Sequence, residues 1–199
     1  MVPESFEKML TGGHPNSLGR TIEVVDIVLA DRERFDELYY CYFSDDEVVR
    51  LRTSNGVRRV SNEHPEWLVP YIDKLLNTIA KIDQASTQWT LAVLFETLAP
   101  LMSATQKRQA KKILKHNLEF HQDWIVLNNT MQTLTHWSKE DSKLRSWLAP
   151  HLDRLQSDSR KSVAKRATRF AQLANNTNSV DLRFQTCIVA SPNEVDHCQ

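Results

Sequence analysis

The ten residues Trp67-Leu-Val-Pro-Tyr-Ile-Asp-Lys-Leu-Leu76 return 80 positions later as Trp147-Leu-Ala-Pro-His-Leu-Asp-Arg-Leu-Gln156. Trp67/Trp147, Leu68/Leu148, Pro70/Pro150, Asp73/Asp153 and Leu75/Leu155 are identical. An offset of this size is about twice a 40-residue helix-pair unit. Such self-similarity restricts a chain to arrays in which each unit buries its apolar face on the next.

The single unit is visible in the helices that precede these segments. Leu51, Val57 and Val60 align with Trp89, Phe95 and Leu98, then with Ile125, Met131 and Leu134, then with Ala164, Phe170 and Leu173, at offsets of 38, 36 and 39. Spacings of six and three keep all three positions on one helical face. A fourth column, Ser54/Ala92/Asn128/Ala167, stays small or slim, as close helix packing favours.

Composition agrees with helices and excludes other classes. The chain has only 4 glycines, and Gly12, Gly13 and Gly19 precede residue 20. Strand-rich folds and phosphate-cradling loops both need glycine at their turns, and no Walker-type or Gly-x-Gly-x-x-Gly run is present. Cys41, Cys187 and Cys198 are odd in number and widely spaced, which speaks against a disulfide framework or zinc knot. With no signal peptide and no run of about 18 apolar residues, a cytoplasmic setting without membrane contact is expected.

Helix starts are marked by Asp45-Asp46, Asp83, Asp123 and Ser157-Asp158, whose side chains can accept from free first-turn amides. Pro65 and Pro70 fall where a second helix would begin, and Pro100 marks a helix end. The expected organisation is an all-α chain of about five helix pairs: 17–30 with 32–43, 46–61 with 65–81, 85–99 with 104–119, 123–137 with 140–156, and a last helix at 158–174. Residues 1–16 are set aside as a flexible N-terminus and 175–199 as a disordered tail. Trp67 and Trp147, at equivalent places, suggest that the tryptophans are mostly core.

Asp45-Asp-Glu-Val-Val-Arg50, an apolar helix, and then Trp67-Leu-Val-Pro-Tyr-Ile-Asp-Lys-Leu-Leu76 resemble a HEAT repeat, of the armadillo-like group. The resemblance extends over about 45–174 and is clearest at 45–82. Gln88 and Trp124 stand where Arg50 does in the next two units. The resemblance implies a right-handed α-α superhelix (a HEAT-like solenoid) over 17–174, with second helices lining its concave side. It implies no particular activity, because function in such folds lies in surface patches.

Charge is distributed unevenly beneath a net of zero. Residues 1–46 hold 4 Lys/Arg against 10 Asp/Glu, whereas residues 101–174 hold 14 against 6. On one second helix, Lys107, Lys111 and Lys115 form a row spaced by four, Arg108 and Lys112 form its neighbour, and Arg154 is expected to extend the row along the next second helix. This is the candidate partner-binding surface, suited to an acidic protein segment or a phosphate backbone. An ordinary solvated helix face is the plainer alternative. Arg160, Lys161, Lys165, Arg166 and Arg169 on the last helix fit the polar outer side of a terminal unit.

No catalytic constellation is evident. His116 and His121 flank Glu119 across a helix end, no His-Glu dipeptide occurs, and neither a metal nor a cofactor is implied. One family of alkylpurine DNA glycosylases is built from HEAT-like repeats and uses Trp and Asp residues at a concave groove. Trp124 with Asn128, and Trp137 with Asp141, have matching spacing, but the paired-Trp motif with its Asp is absent. The expected function is a non-catalytic scaffold for protein–protein interaction. The alternative is a nucleic-acid-binding protein related to those glycosylases, and a lyase or hydroxylase on the same fold stands third.

Overall fold

The computed structural model describes residues 4–14 and 17–174. Among these residues all regular structure is helical and there is no strand. The order is α1 (Phe6–Leu10), α2 (Thr21–Ala30), α3 (Phe35–Tyr40), α4 (Glu47–Glu63), α5 (Ile72–Asn77), α6 (Ala85–Leu98), α7 (Ala104–Phe120), α8 (Trp124–Ser138), α9 (Ser142–Gln156) and α10 (161–174). Short 3-10 turns at Arg32–Arg34, Cys41–Phe43, Pro65–Tyr71, Ile79–Lys81 and Ala99–Leu101 flank them. The chain forms two compact units, Met1–Leu134 and Thr135–Gln199, whose division falls within α8. The tail at 175–199, with Cys187 and Cys198, lies outside the described residues.

In the first unit α4 packs against both α2 and α6. Thr133 of α8 donates to the Ala92 carbonyl of α6 at 2.9 Å, and Gln132 donates to Glu96 at 3.3 Å. Helix α7 packs against α5 and also touches α6. Among the aligned columns, Val57, Phe95, Met131 and Phe170 are all buried, as are Ser54, Ala92, Asn128 and Ala167. Val60, Leu98 and Leu134 are buried too, whereas Leu173, near the end of α10, is exposed. Each fully buried aliphatic side chain contributes ~1.5–3 kcal/mol.

Two of the four expected caps form. Asp46 accepts from the Val48 amide and Asp123 from Ile125 and Val126, whereas Asp158 accepts from the Arg160 amide just ahead of α10. Asp83 does not cap: Gln84 precedes α6 without a side-chain cap, because its amide group is held by Arg50, the Glu47 carbonyl and Ser86. Ser103 and Gln106 form a reciprocal capping box at the start of α7, which fixes where that helix begins.

Arg50 and Gln88 differ in type but do the same work. Arg50 donates to the Ser44 carbonyl at 2.6 Å and Gln88 to the Ile82 carbonyl at 2.8 Å. Each reaches six residues back and ties its helix to the preceding linker. Gln88 also accepts from Asn117 of α7, joining α6 to α7 inside the core.

Two expectations change. The duplicated decapeptide takes two conformations: Pro70 lies in the 3-10 stretch Pro65–Tyr71, while Pro150 sits inside α9. Pro65 and Pro70 remove two amide donors within six residues, whereas α9 is under way eight residues before Pro150. Nor are the tryptophans core: Trp67, Trp89, Trp137 and Trp147 are half-buried and Trp124 is 48% exposed. Trp67 instead stacks on His64 at 4.1 Å beneath the Arg32 guanidinium. The Trp89 column, shared with Leu51, Ile125 and Ala164, is half-buried throughout and so marks the edge of the layer.

Within the segment set aside as a flexible N-terminus, α1 buries Phe6, Met9 and Leu10 and packs against α2, α3 and α4. Arg52, only 1% exposed, holds the chain that follows. Its guanidinium donates to the carbonyls of Leu10, Thr11, Gly12, His14 and Ser17 at 2.6–3.3 Å. Gly19, at φ +51°, passes so close that a Cβ there would lie 2.8 Å from the Arg52 Cζ.

Candidate functional site

Helix α7 carries five of the six residues expected to bind a partner. Gln109 donates to Asn77 and Gln106 to Asp73, which sets the side of α7 that meets α5. Ala110, Leu114, Asn117 and Leu118 are buried. Lys107, Arg108 and Lys112 are left exposed, whereas Lys111 and Lys115 are half-buried. The two expected rows are therefore unequal: the Arg108–Lys112 row faces solvent, and the Lys107–Lys111–Lys115 row dips toward the protein along its length. Arg108 also donates to Thr105 of its own helix at 2.9 Å. Arg154 lies on α9, in the other unit.

The exposed face of α7 continues past its lysines. His116 packs on Phe120 with ring centroids 4.9 Å apart, and Phe120 is 64% exposed at the helix's last residue. Trp124, four residues further and at the start of α8, is also exposed. The other sequence pairings separate: His121 accepts from the Asp123 amide through Nδ1, Asn128 is buried while Trp124 is not, and Asp141 caps α9 through the Leu144 amide. Among the described residues no three His, Cys, Asp or Glu side chains group as a metal site. Nor, among the described residues, is any helix long and apolar enough to cross a membrane.

A second surface feature is aromatic. Phe35, Tyr39 and Tyr71 form a chain of rings with centroids 4.9 Å apart, and Tyr40 and Phe43 extend it into solvent at 58% and 50% exposure. The Lys74 ammonium lies 5.2–5.9 Å from the Tyr39, Tyr40 and Tyr71 centroids, within reach of a cation–π attraction. Burial pushes the Tyr39 hydroxyl up to about 12 and the neighbouring Cys41 thiol also to about 12, the latter aided by Glu7 and Glu37. Tyr71 is likewise raised, by burial and by its hydrogen bond to Asp36. Lys74 is itself exposed, and its approach to Tyr39 and Tyr40, 35 and 34 residues away in the chain, had no local signal.

Comparison with protein-family models, curated proteins and solved structures yields no match.

Proposed function

We propose that this chain is a non-catalytic, HEAT-like scaffold, a right-handed superhelix of helix pairs in the cytoplasm, that binds an acidic protein segment through α7. The observation that carries this reading is the exposure of Lys107, Arg108 and Lys112 together on one helix, beside the half-buried Lys111 and Lys115. Cations held in this way by a rigid helix attract an anionic segment and govern its rate of encounter. Packing of α4 on α2 and α6, and of α5 on α7, supports a layered array with second helices on one surface.

Fluorescence polarisation with a ten-residue oligoglutamate peptide tests it. Binding at low ionic strength should weaken as salt rises through the range in which the screening length falls from ~30 to ~10 Å. It should be lost in the triple variant Lys107→Glu, Arg108→Glu, Lys112→Glu. Absence of binding at low salt would sink the proposal.

Nucleic acid is the second reading, favoured by the surplus of 14 Lys/Arg over 6 Asp/Glu in residues 101–174. The same variant then loses affinity for labelled duplex DNA, with the steep salt dependence of counterion release.

A further inference from the structure

We propose that α7 presents a two-part ridge that docks an extended protein segment bearing acidic residues at one end and an apolar anchor at the other. This rests on the reading of α7 as a partner-binding helix and specifies the partner's chemistry, spacing and direction.

Arg108, Lys112, His116 and Phe120 recur every four residues and all four are exposed. Each step of four turns only ~40° around the axis, so the residues wind slowly along one side over about 18 Å. The ridge is polar in the literal sense. Its first half carries Lys107, Arg108 and, at mid-helix, Lys112, and the backbone dipole adds positive potential at the first turn. Its second half ends in Phe120, backed by the His116 ring, with the exposed Glu119 beside it and the negative end of the dipole beneath. The exposed Trp124 follows at the start of α8.

Phe120 and Trp124, 64% and 48% exposed within five residues of sequence, are large apolar side chains left to solvent at this end of α7. A phosphate backbone crossing the ridge would meet favourable charge over the first half and the negative end of the helix dipole at the last turn. A peptide has no such conflict, since its charges can be confined to one end. The partner's acidic residues should therefore lie against Arg108 and Lys112, with its anchor on Phe120. Lys112 to Phe120 spans ~12 Å and Arg108 to Phe120 ~18 Å along the axis, which an extended chain covers in about four or five residues.

The test uses the full chain and three fluorescein-labelled probes: a peptide of three glutamates, a four-residue Gly/Ser spacer and a Phe-Leu pair; the same peptide ending in Ala-Ala; and an oligothymidylate. The anchored peptide should bind about five- to tenfold tighter than its Ala-Ala counterpart, about 1 kcal/mol or slightly more. Phe120→Ala should erase that difference without changing affinity for the Ala-Ala peptide, and Arg108→Glu with Lys112→Glu should weaken both. All three positions are exposed, and an unchanged thermal melt verifies the fold of each variant. Equal binding of the two peptides, indifferent to Phe120→Ala, overturns the two-part ridge and leaves the acidic-segment reading intact. Failure of both peptides overturns that reading as well. Tighter, Phe120-dependent binding of the oligothymidylate overturns the proposal in favour of single-stranded nucleic acid, whose bases stack on exposed aromatics.

Discussion

Replacing Arg52 by alanine should destabilise the protein far more than replacing any exposed arginine, and should do so first at the N-terminal segment. The guanidinium is 1% exposed and makes two short bonds, to the Leu10 and Gly12 carbonyls at 2.6 Å, and three longer ones at 3.1–3.3 Å. A hydrogen bond from a charged donor contributes a net ~1.5–3 kcal/mol. Counting the two short bonds in full, and letting water reach part of the released loop, gives a loss of about 3–5 kcal/mol. For a chain of this size that corresponds to roughly 6–20 °C in melting temperature. Arg52→Lys should recover only part of the loss, because one ammonium cannot present the guanidinium's forked donors to carbonyls on either side. Arg108→Ala, on the exposed face, should stay within about 0.5 kcal/mol. Calorimetry gives the global figure, and amide exchange locates it: protection in 6–14 should fall before that of α4 and α6. A melting temperature within about 2 °C of wild type, or unchanged exchange in 6–14, would refute the view that Arg52 fastens this segment.

The glycines provide an independent check: Gly19→Ala should cost more than Gly12→Ala, although both have positive φ, because only at Gly19 would the new methyl meet the guanidinium, 2.8 Å from Cζ, whereas nothing lies within 4 Å at Gly12. Equal losses by chemical denaturation would show that backbone strain alone, ~1–2 kcal/mol, accounts for both. Cys41, buried and with its thiol raised to about 12, should resist alkylation at pH 8 in the native protein and react once denaturant is added; modification of its peptide under native conditions, read by mass spectrometry, contradicts this. The Asp158 carboxyl is held down to about 2 by Arg160, and Asp46 is held below its usual value by the Val48 amide and Thr11. Their folded values are depressed, so their stabilisation is complete above the unfolded value near ~4 and is lost as pH falls through the folded values. Thermal stability should decline between about pH 5 and 2, and the drop should shrink in Asp158→Asn; an equal drop in that variant argues against the assignment.

The helical class and the buried helix faces were legible because they rest on short-range periodicity. A spacing of six and three identifies a helix face wherever that face goes, and the burial of Val57, Phe95, Met131 and Phe170 follows from it. Caps were legible for the same reason at Asp46 and Asp123. What escaped depends on partners distant in sequence. Arg52 looks like a surface residue from its type, yet Val49, Arg52, Gly56 and Val60 follow one another by three, four and four on a single buried stripe. A cation on that stripe was a readable anomaly, and its carbonyl partners, 35–42 residues away, were not. Lysine spacing likewise located the basic side of α7 but could not tell which row meets solvent, since Gln106 and Gln109 set the helix's rotation through Asp73 and Asn77. The tryptophans misled because a residue with so large an apolar body can also cover the border of a layer or hold a stack such as His64–Trp67–Arg32.

Helix α1 acts as a cover: Phe6, Met9 and Leu10 occupy apolar surface on α2, α3 and α4, and the Arg52 bonds hold the chain that follows. A single guanidinium thus links the seating of α1 to the burial of that surface. A molecule that lost this contact would keep most of its core, yet it would bare an adhesive apolar face to other copies of itself.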